Sequence, residues 1–372
     1  MPALVGGFGN KSSESVLYNY LNKMTTTPII FNRQNYSMLA LSAKNIALSC
    51  PSSTDQSVST ALVKFNLDPE KMGGYLAGLI EGDGTIAVHD KNSTVQKYRP
   101  AIIIVFKIAD LPLAEYLQNL TNCGSVYKKT NRGYVLWQIQ DIVGVYSIVN
   151  IINGYMRTPK IEALNRTINW LNNYMSVNQN SKLPSTKLIL SKLNKIELKD
   201  IDNSPIDSNP WLSGFSDADA NFSINIHKRS NKNLTRVQLF YRLEIRQTYH
   251  RLNNEGEQVS FFIIMSKVAN YLGSNVLSRS RIKGDKQFYS FIVMAHSKSN
   301  LIKITNYFNK YPLLSSKHLD YLSWRYVLDL QKDSSRVSSY LDEALNIRKD
   351  FNNTRTTYYW DHLSKIIVNY NK

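Results

Sequence analysis

Near residue 83 the spacing of hydrophobic positions changes abruptly. From Pro69 the chain is apolar, with Gly74, Gly78 and Gly82 four residues apart, which puts them along one face of a helix. After the acids of "EGDG" it alternates as "TIAVH", the period of a strand. The same change recurs from Pro210, where "WLSGFSDADA" leads into "NFSINIHK" and Pro210, Gly214 and Ala218 take the small positions. Each copy continues in the same order. A second alternating segment ("YRPAIIIVFKI"; "TRVQLFYRLEIRQ") precedes a helix ("LPLAEYLQNL"; "FFIIMSKVANYL"). Two further strands follow ("CGSVYKK" and "GYVLWQIQ"; "GSNVLSRSRI" and "QFYSFIVMA"), and two helices close the unit, the last around "RTPKIEALNRTINWL" or "PLLSSKHLDYLSWRYVL".

The chain is thus an internal repeat. The lag between matching points grows from Leu76 and Leu212, through Gly124 and Gly273, to Lys160 and Lys317, so the second copy carries insertions, one of them "HRLNNEGEQ". The pattern predicts an α+β fold with antiparallel sheets in two pseudo-symmetric units. The units span 67–196 and 210–332. The polar, proline-punctuated stretch 197–209 links them, and 333–372 forms a helical extension. Residues 11–66, rich in Ser, Thr and Asn without sustained periodicity, read as a poorly ordered leader.

Glycine costs about 1 kcal/mol against alanine inside a helix, so three in one helix must be offset by something. A stripe of small residues lets two helix backbones approach more closely than usual. If the two stripes face each other, Asp83 and Asp219 end side by side. A helix C-terminus carries partial negative charge and neighbouring carboxylates repel, so a divalent cation with oxygen ligands, such as Mg²⁺, is the natural compensator. A single "EGDG" is usually a solvated turn; the second copy with the same stripe and terminal acid argues otherwise. The glycines precede the acids with no strand leading in, which excludes a phosphate-binding loop.

Lys and Arg number 45 against 28 Asp and Glu, a net charge of +17, which points to a polyanionic partner. With 43% hydrophobic and 11% aromatic residues, the chain can bury substantial cores. Cys50 and Cys123 form no metal-binding pair. The longest apolar run, Ala101 to Phe106, is too short to cross a bilayer, so no membrane partner is expected.

"YLAGLIEGDG" and "WLSGFSDADA" resemble the two signature helices of the LAGLIDADG homing endonucleases in their single-chain, two-motif form. The resemblance extends over residues 69 to 360. It implies two αββαββα units, sheets forming a saddle over DNA, paired motif helices at the interface, and a monomer. It further implies Mg²⁺ or Mn²⁺ held by Asp83 and Asp219, with Gly82 and Ala218 in the metal set. Glu81 and Asp217 are expected to serve capping and packing. By the same resemblance, Lys160 and Lys317 match the basic residues near the scissile phosphates, and Lys107 and Gln247 the polar ones. One departure is Ala220 in place of the glycine after the second acid, where a methyl is expected to tighten the turn that aims Asp219. The opening "MPALVGGFGN" resembles a stretch of cytochrome c oxidase subunit 1. That implies a reading frame continuous with an exon of a mitochondrial group I intron, residues 1–10 being exon-derived, and a mitochondrial location.

Strand alternation separates a candidate reading face. Asn221, Ser223, Asn225 and His227 point one way in the first strand of the second unit; Gln238, Arg242 and Arg246 share a face in the next; Arg279 and Arg281 share another. Such side chains supply donors and acceptors for base edges in a major groove, while scattered lysines meet phosphates. The leading function is a site-specific, metal-dependent DNA endonuclease that cuts both strands of a long target at the exon junction. The alternative is an RNA maturase that assists splicing of its own group I intron, and the two activities are compatible. A plain DNA-binding regulator would not need paired acids.

Overall fold

The computed structural model describes residues 69–88, 99–228, 235–253, 255–331 and 340–364. The expected exon-derived segment 1–10 and leader 11–66 lie outside the described residues. The first unit runs α1 (Pro69–Asp83), β1 (Gly84–Ala87), β2 (Ala101–Lys107), α2 (Leu111–Thr121), β3 (Ser125–Lys129), β4 (Tyr134–Ile139), α3 (Ile142–Ile152) and α4 (Ile161–Asn178), followed by the short α5 (Pro184–Leu190). The second runs α6 (Trp211–Asp219), β5 (Ala220–Lys228), β6 (Thr235–Arg246), β7 (Thr248–Leu252), β8 (Gln258–Ser260), α7 (Phe262–Leu272), β9 (Val276–Lys283), β10 (Lys286–Ala295), α8 (Lys298–Lys310) and α9 (Lys317–Leu330). Helix α10 (Tyr340–Ile347) lies in the C-terminal extension.

Each unit has one four-stranded antiparallel sheet with the same order: β1-β2-β4-β3 in the first and β5-β6-β10-β9 in the second. The αββαββα reading therefore holds in both copies. The insertion "HRLNNEGEQ" is built around the separate β7-β8 ribbon. One face of each sheet packs on its helices. In the first, Ile102, Ile104, Val135, Trp137 and Ile139 are buried; in the second, Phe222 and Ile224 are buried with Tyr241 and Leu243. Phe222 lies among the rings of Tyr241, Phe308, Tyr321 and Trp324, with centroids 5.4–5.9 Å away. Burying one such aromatic contributes roughly 1.5–3 kcal/mol.

A single hydrophobic core runs through both units, and the glycine stripes are where they meet. A Cβ added to Gly78 would fall 2.0 Å from the Trp211 carbonyl oxygen; one added to Gly214 would fall 1.9 Å from that of Tyr75. Backbone faces backbone there, with no space for a side chain. Above the crossing Gly74 meets Asn209 and Pro210, and below it Gly82 meets the Ala218 methyl.

The expected linker 197–209 is coil, but it is tied to both units. Arg157 of the first unit donates to the Ser204 carbonyl (2.8 Å) and the Ser204 hydroxyl (2.7 Å), pairs with Asp202 at 2.7 Å, and lies over the Trp211 ring. From the second unit, the hydroxyls of Tyr307 and Tyr311 donate to the carbonyls of Asn209 and Ser208. Ala220, expected to tighten the turn, has an ordinary extended conformation (φ −90°, ψ 162°) open to any residue. At the matching position Gly84 is required by crowding, since a Cβ would fall 2.7 Å from the Ile80 Cα.

Gly78→Ala and Gly214→Ala test this contact. Helix propensity alone favours alanine by about 1 kcal/mol, whereas overpacking costs about 1–3 kcal/mol or more. Each variant is therefore expected to unfold at lower denaturant than the parent. An unchanged or raised midpoint would mean the helices do not meet through these glycines.

Candidate active site

The site forms where α1 and α6 end. Asp83 and Asp219 close the two helices and are both half-buried. A Cβ on Gly82 would lie 3.4 Å from Asp219 Oδ2, so the second acid leans against the backbone that carries the first. Partial burial and the negative charge of Asp83 push the Asp219 carboxyl up to about 7, and Glu244 adds to the effect; Lys317 and Lys160 oppose it.

Two residues before each of these acids is another whose role is structural. The Glu81 carboxylate accepts from the backbone N–H groups of Arg157 (3.0 Å) and Thr158 (2.6 Å) and from the Thr158 hydroxyl (2.6 Å). Asp217 accepts from the N–H groups of Leu314 (2.8 Å) and Ser315 (3.2 Å) and from the Ser315 hydroxyl (2.5 Å). Each acid therefore secures the turn leading into the last helix of its own unit, and also accepts one bond from the other unit. Trp211 Nε1–H donates to Glu81 at 2.5 Å, and the Tyr75 hydroxyl donates to Asp217 at 2.8 Å. Burial pushes both carboxyls above their usual range, and these donors oppose it. Ser316 has an N–H where the first unit has Pro159; that donor goes to the buried Asp110 at 2.7 Å, so the first unit also secures the second unit's turn.

Those turns deliver the lysines. Lys160, 6% exposed, directs Nζ into the end of α1, donating to the carbonyls of Glu81 (2.7 Å), Gly84 (2.9 Å) and Ile80 (3.2 Å). Lys317 Nζ donates to those of Ala218 (2.7 Å) and Ser216 (3.1 Å). A cation at a helix C-terminus satisfies orphan carbonyls and suits the dipole. Burial lowers both ammonium pKa values; the acids around them oppose it. Of the carbonyls expected in the metal set, that of Ala218 accepts from Lys317, and that of Gly82 is 3.5 Å from Lys160 Nζ.

Lys107, at the end of β2, adds its charge to the surroundings of Lys317. Gln247 differs from expectation. The ladders pair Gly84 with Ile104 and Ala220 with Leu243, so three residues further on the counterpart of Lys107 is Arg246. The Gln247 side chain instead donates to the Ser278 hydroxyl at 2.6 Å, across the sheet. In the neighbouring ribbon, burial and the cations Arg246, Arg251 and Lys160 hold His250 down at about 4.

The donor set suits a hard divalent cation. Two carboxylates converge where burial and the neighbouring negative charge already raise one of them, and Mg²⁺ is typically held by one or two carboxylates plus substrate phosphates. Among the described residues no cluster of three or more His, Cys, Asp or Glu forms a denser cage.

The outer face of the second sheet carries the expected reading residues. Asn221, Asn225 and His227 are exposed and Ser223 half-buried; across the ladder they meet Arg242, Gln238, Arg236 and Phe240 respectively. Arg246, Arg279 and Arg281 are exposed on the same face. The corresponding face of the first sheet is more apolar: Ile103 and Leu136 are 3% and 2% exposed, although they point away from the helices. Tyr75, Trp211, Thr158, Ser315 and Asp110 were not singled out in the sequence. A repeat alignment carries a signal for four of them: aromatics six residues before each buried acid, and a hydroxyl two before each lysine.

The sequence profile of the LAGLIDADG endonucleases matches residues 76–171 and 212–328, one block per unit. The intron-encoded DNA endonuclease aI3 of Saccharomyces cerevisiae is 42% identical over 376 residues, covering 98% of this chain and 81% of that protein. A Schizosaccharomyces pombe protein, described as an uncharacterized cox1 intron-2 37.2 kDa protein, is 28% identical over 320 residues, covering 84% of each. Among solved structures, I-GzeII in complex with its DNA target superposes with a TM-score of 0.55 at 19% identity, over 78% of this chain and all of that one. I-SmaMI bound to cleaved DNA gives 0.55 at 19%, over 78% and 98%. At such identities the likeness is one of fold.

The raised Asp219 carboxyl has a consequence for stability without metal. Folding favours its protonated form, so its contribution is complete below about pH 4 and is lost as pH rises through about 7. In chelator, Asp219→Asn is expected to be more stable than the parent at pH 8 by on the order of 1 kcal/mol, allowing for solvent screening. The gap should vanish near pH 4. Urea unfolding across that range measures it; parallel profiles would show that neither burial nor the charge of Asp83 raises this carboxyl.

Proposed function

The chain belongs to the LAGLIDADG endonuclease family, and on that premise we propose that it is a site-specific DNA endonuclease that cuts both strands of an exon-junction target as a monomer. The observation that carries the reading is the pair of acids delivered to one place by two backbone-packed helices, beside an open basic sheet face. Its relatives' names place them in introns, one of them in cox1, which supports an intron-encoded protein working in the mitochondrion. When bound, Mg²⁺ or Mn²⁺ at Asp83 and Asp219 supplies water activation and charge neutralisation at phosphorus.

The chain's own residues do the rest. The lysines hold the last carbonyls of α1 and α6, which fixes the direction of the acids, and their positive charge is available to stabilise the pentacovalent phosphate. Lys107 and Arg246, one from each unit, add positive charge beside that phosphate. The sheet face positions the duplex: lysines in loops meet phosphates, and Asn, Gln and Arg side chains meet base edges. Assistance to splicing of the host intron remains the alternative, and it would not require the acids.

Asp83→Asn and Asp219→Asn are each expected to lower cleavage of a duplex spanning the intronless junction by at least about 10²–10³-fold. Gel shifts of the same duplex should persist. Loss of binding together with cleavage would assign the acids a structural role. Binding should also weaken steeply with salt as counterions are released; a flat dependence would contradict a nucleic-acid partner.

A further inference from the structure

Of the described side chains on the open face of the second sheet, Glu244 alone is acidic. A carboxylate facing a polyanion opposes binding through like-charge repulsion, so its neighbours matter. Glu244 accepts from the guanidinium groups of Arg242 and Arg281 and from the Ser290 hydroxyl (2.7 Å), and Arg279 Nη1 lies 3.7 Å away. Its side chain is 15% exposed, against 34% for Arg242 and 50% for Arg281. The cluster therefore has its anion beneath and its cations at the surface. It lies beside the candidate active site, because the ladder pairs Ala220 with Leu243 and so sets Glu244 level with Asp219. At the same register of the first sheet stands Val105, opposite Leu136, so the device belongs to one half only.

An unrestrained arginine side chain carries about 2 kcal/mol of rotamer entropy and binds any phosphate in reach. One whose guanidinium is held along one edge by a carboxylate presents its remaining N–H groups in a fixed direction, the requirement for a bidentate bond to guanine O6 and N7. We propose that Glu244 is a positioning residue for base readout, holding Arg242 and Arg281 in fixed orientations so that charge-driven affinity becomes sequence discrimination in the half-site under the second sheet. This rests on the DNA endonuclease reading.

The test compares the full chain with Glu244→Gln on two duplexes, the intronless junction and a scrambled one of equal length and composition, at fixed salt. Glutamine keeps the shape and the Ser290 bond and loses the charge. The variant should bind the scrambled duplex at least as tightly as the parent, while its preference for the junction falls by about tenfold or more, the scale of one bidentate base contact. Base substitutions should show the loss in the second unit's half-site. Should the variant fold poorly, Arg242→Lys with Arg281→Lys keeps the charge and removes the forks, and the same loss of preference is expected. A preference retained within about twofold, or equal weakening on both duplexes with a lowered unfolding midpoint, would overturn the proposal while leaving the endonuclease reading intact. A parent with no preference for the junction would overturn the reading and this inference with it.

Discussion

The structure depends on the backbone-to-backbone contact between α1 and α6. At the crossing each glycine faces a carbonyl of the opposite helix, Gly78 that of Trp211 and Gly214 that of Tyr75. Burying polar backbone so closely is tolerable because these carbonyls are also acceptors within their own helices. The contact also fixes the axial position of each helix, so the last residues of both arrive together. Asp83 and Asp219 are neighbours because Gly78 and Gly214 leave no room for anything between the helices.

Around that crossing the two units hold each other reciprocally. Tyr75 and Trp211 occupy the same place in their repeats, and each donates to the buried acid of the other. Those acids, Glu81 and Asp217, also secure the turns that present Lys160 and Lys317. Helix contact, turn and lysine are thereby linked, and a loosened helix pair would misplace both acids and both lysines. Removing a donor from a buried carboxylate costs about 1–3 kcal/mol, so each of these bonds matters to the geometry. The symmetry does not extend to the residues on the open sheet faces. The open face carries arginines and asparagines in the second unit and buried aliphatics in the first, so the described reading surface is unequal between the halves.

Much of this was legible in the sequence, because repetition tests itself. One glycine-rich helix ending in acids has many explanations; two with the same small-residue spacing have few. The strand alternation of "NFSINIHK" correctly separated Phe222 and Ile224, which are buried, from Asn221 and Asn225, which are exposed. What was not legible depended on register and on contacts between distant residues. The resemblance pairs Gln247 with Lys107 as the two polar positions; only the ladder shows that Arg246 is the counterpart in register. Nothing in the alternation of that strand marks Glu244 as the residue on which three arginines converge. The stretch 197–209 has linker composition, yet Arg157 and two tyrosines tie it down through its carbonyls, which composition does not reveal.

On the proposed reading, two backbone-packed helices bring Asp83 and Asp219 together as one divalent-cation site. Anomalous diffraction from crystals of the full chain grown with Mn²⁺ and a junction duplex tests it most directly. Manganese peaks are expected within ligand distance of both carboxylates, at the foot of α1 and α6 beside the duplex backbone. Manganese bound elsewhere, or the two acids separated and turned away from the phosphates, would contradict it.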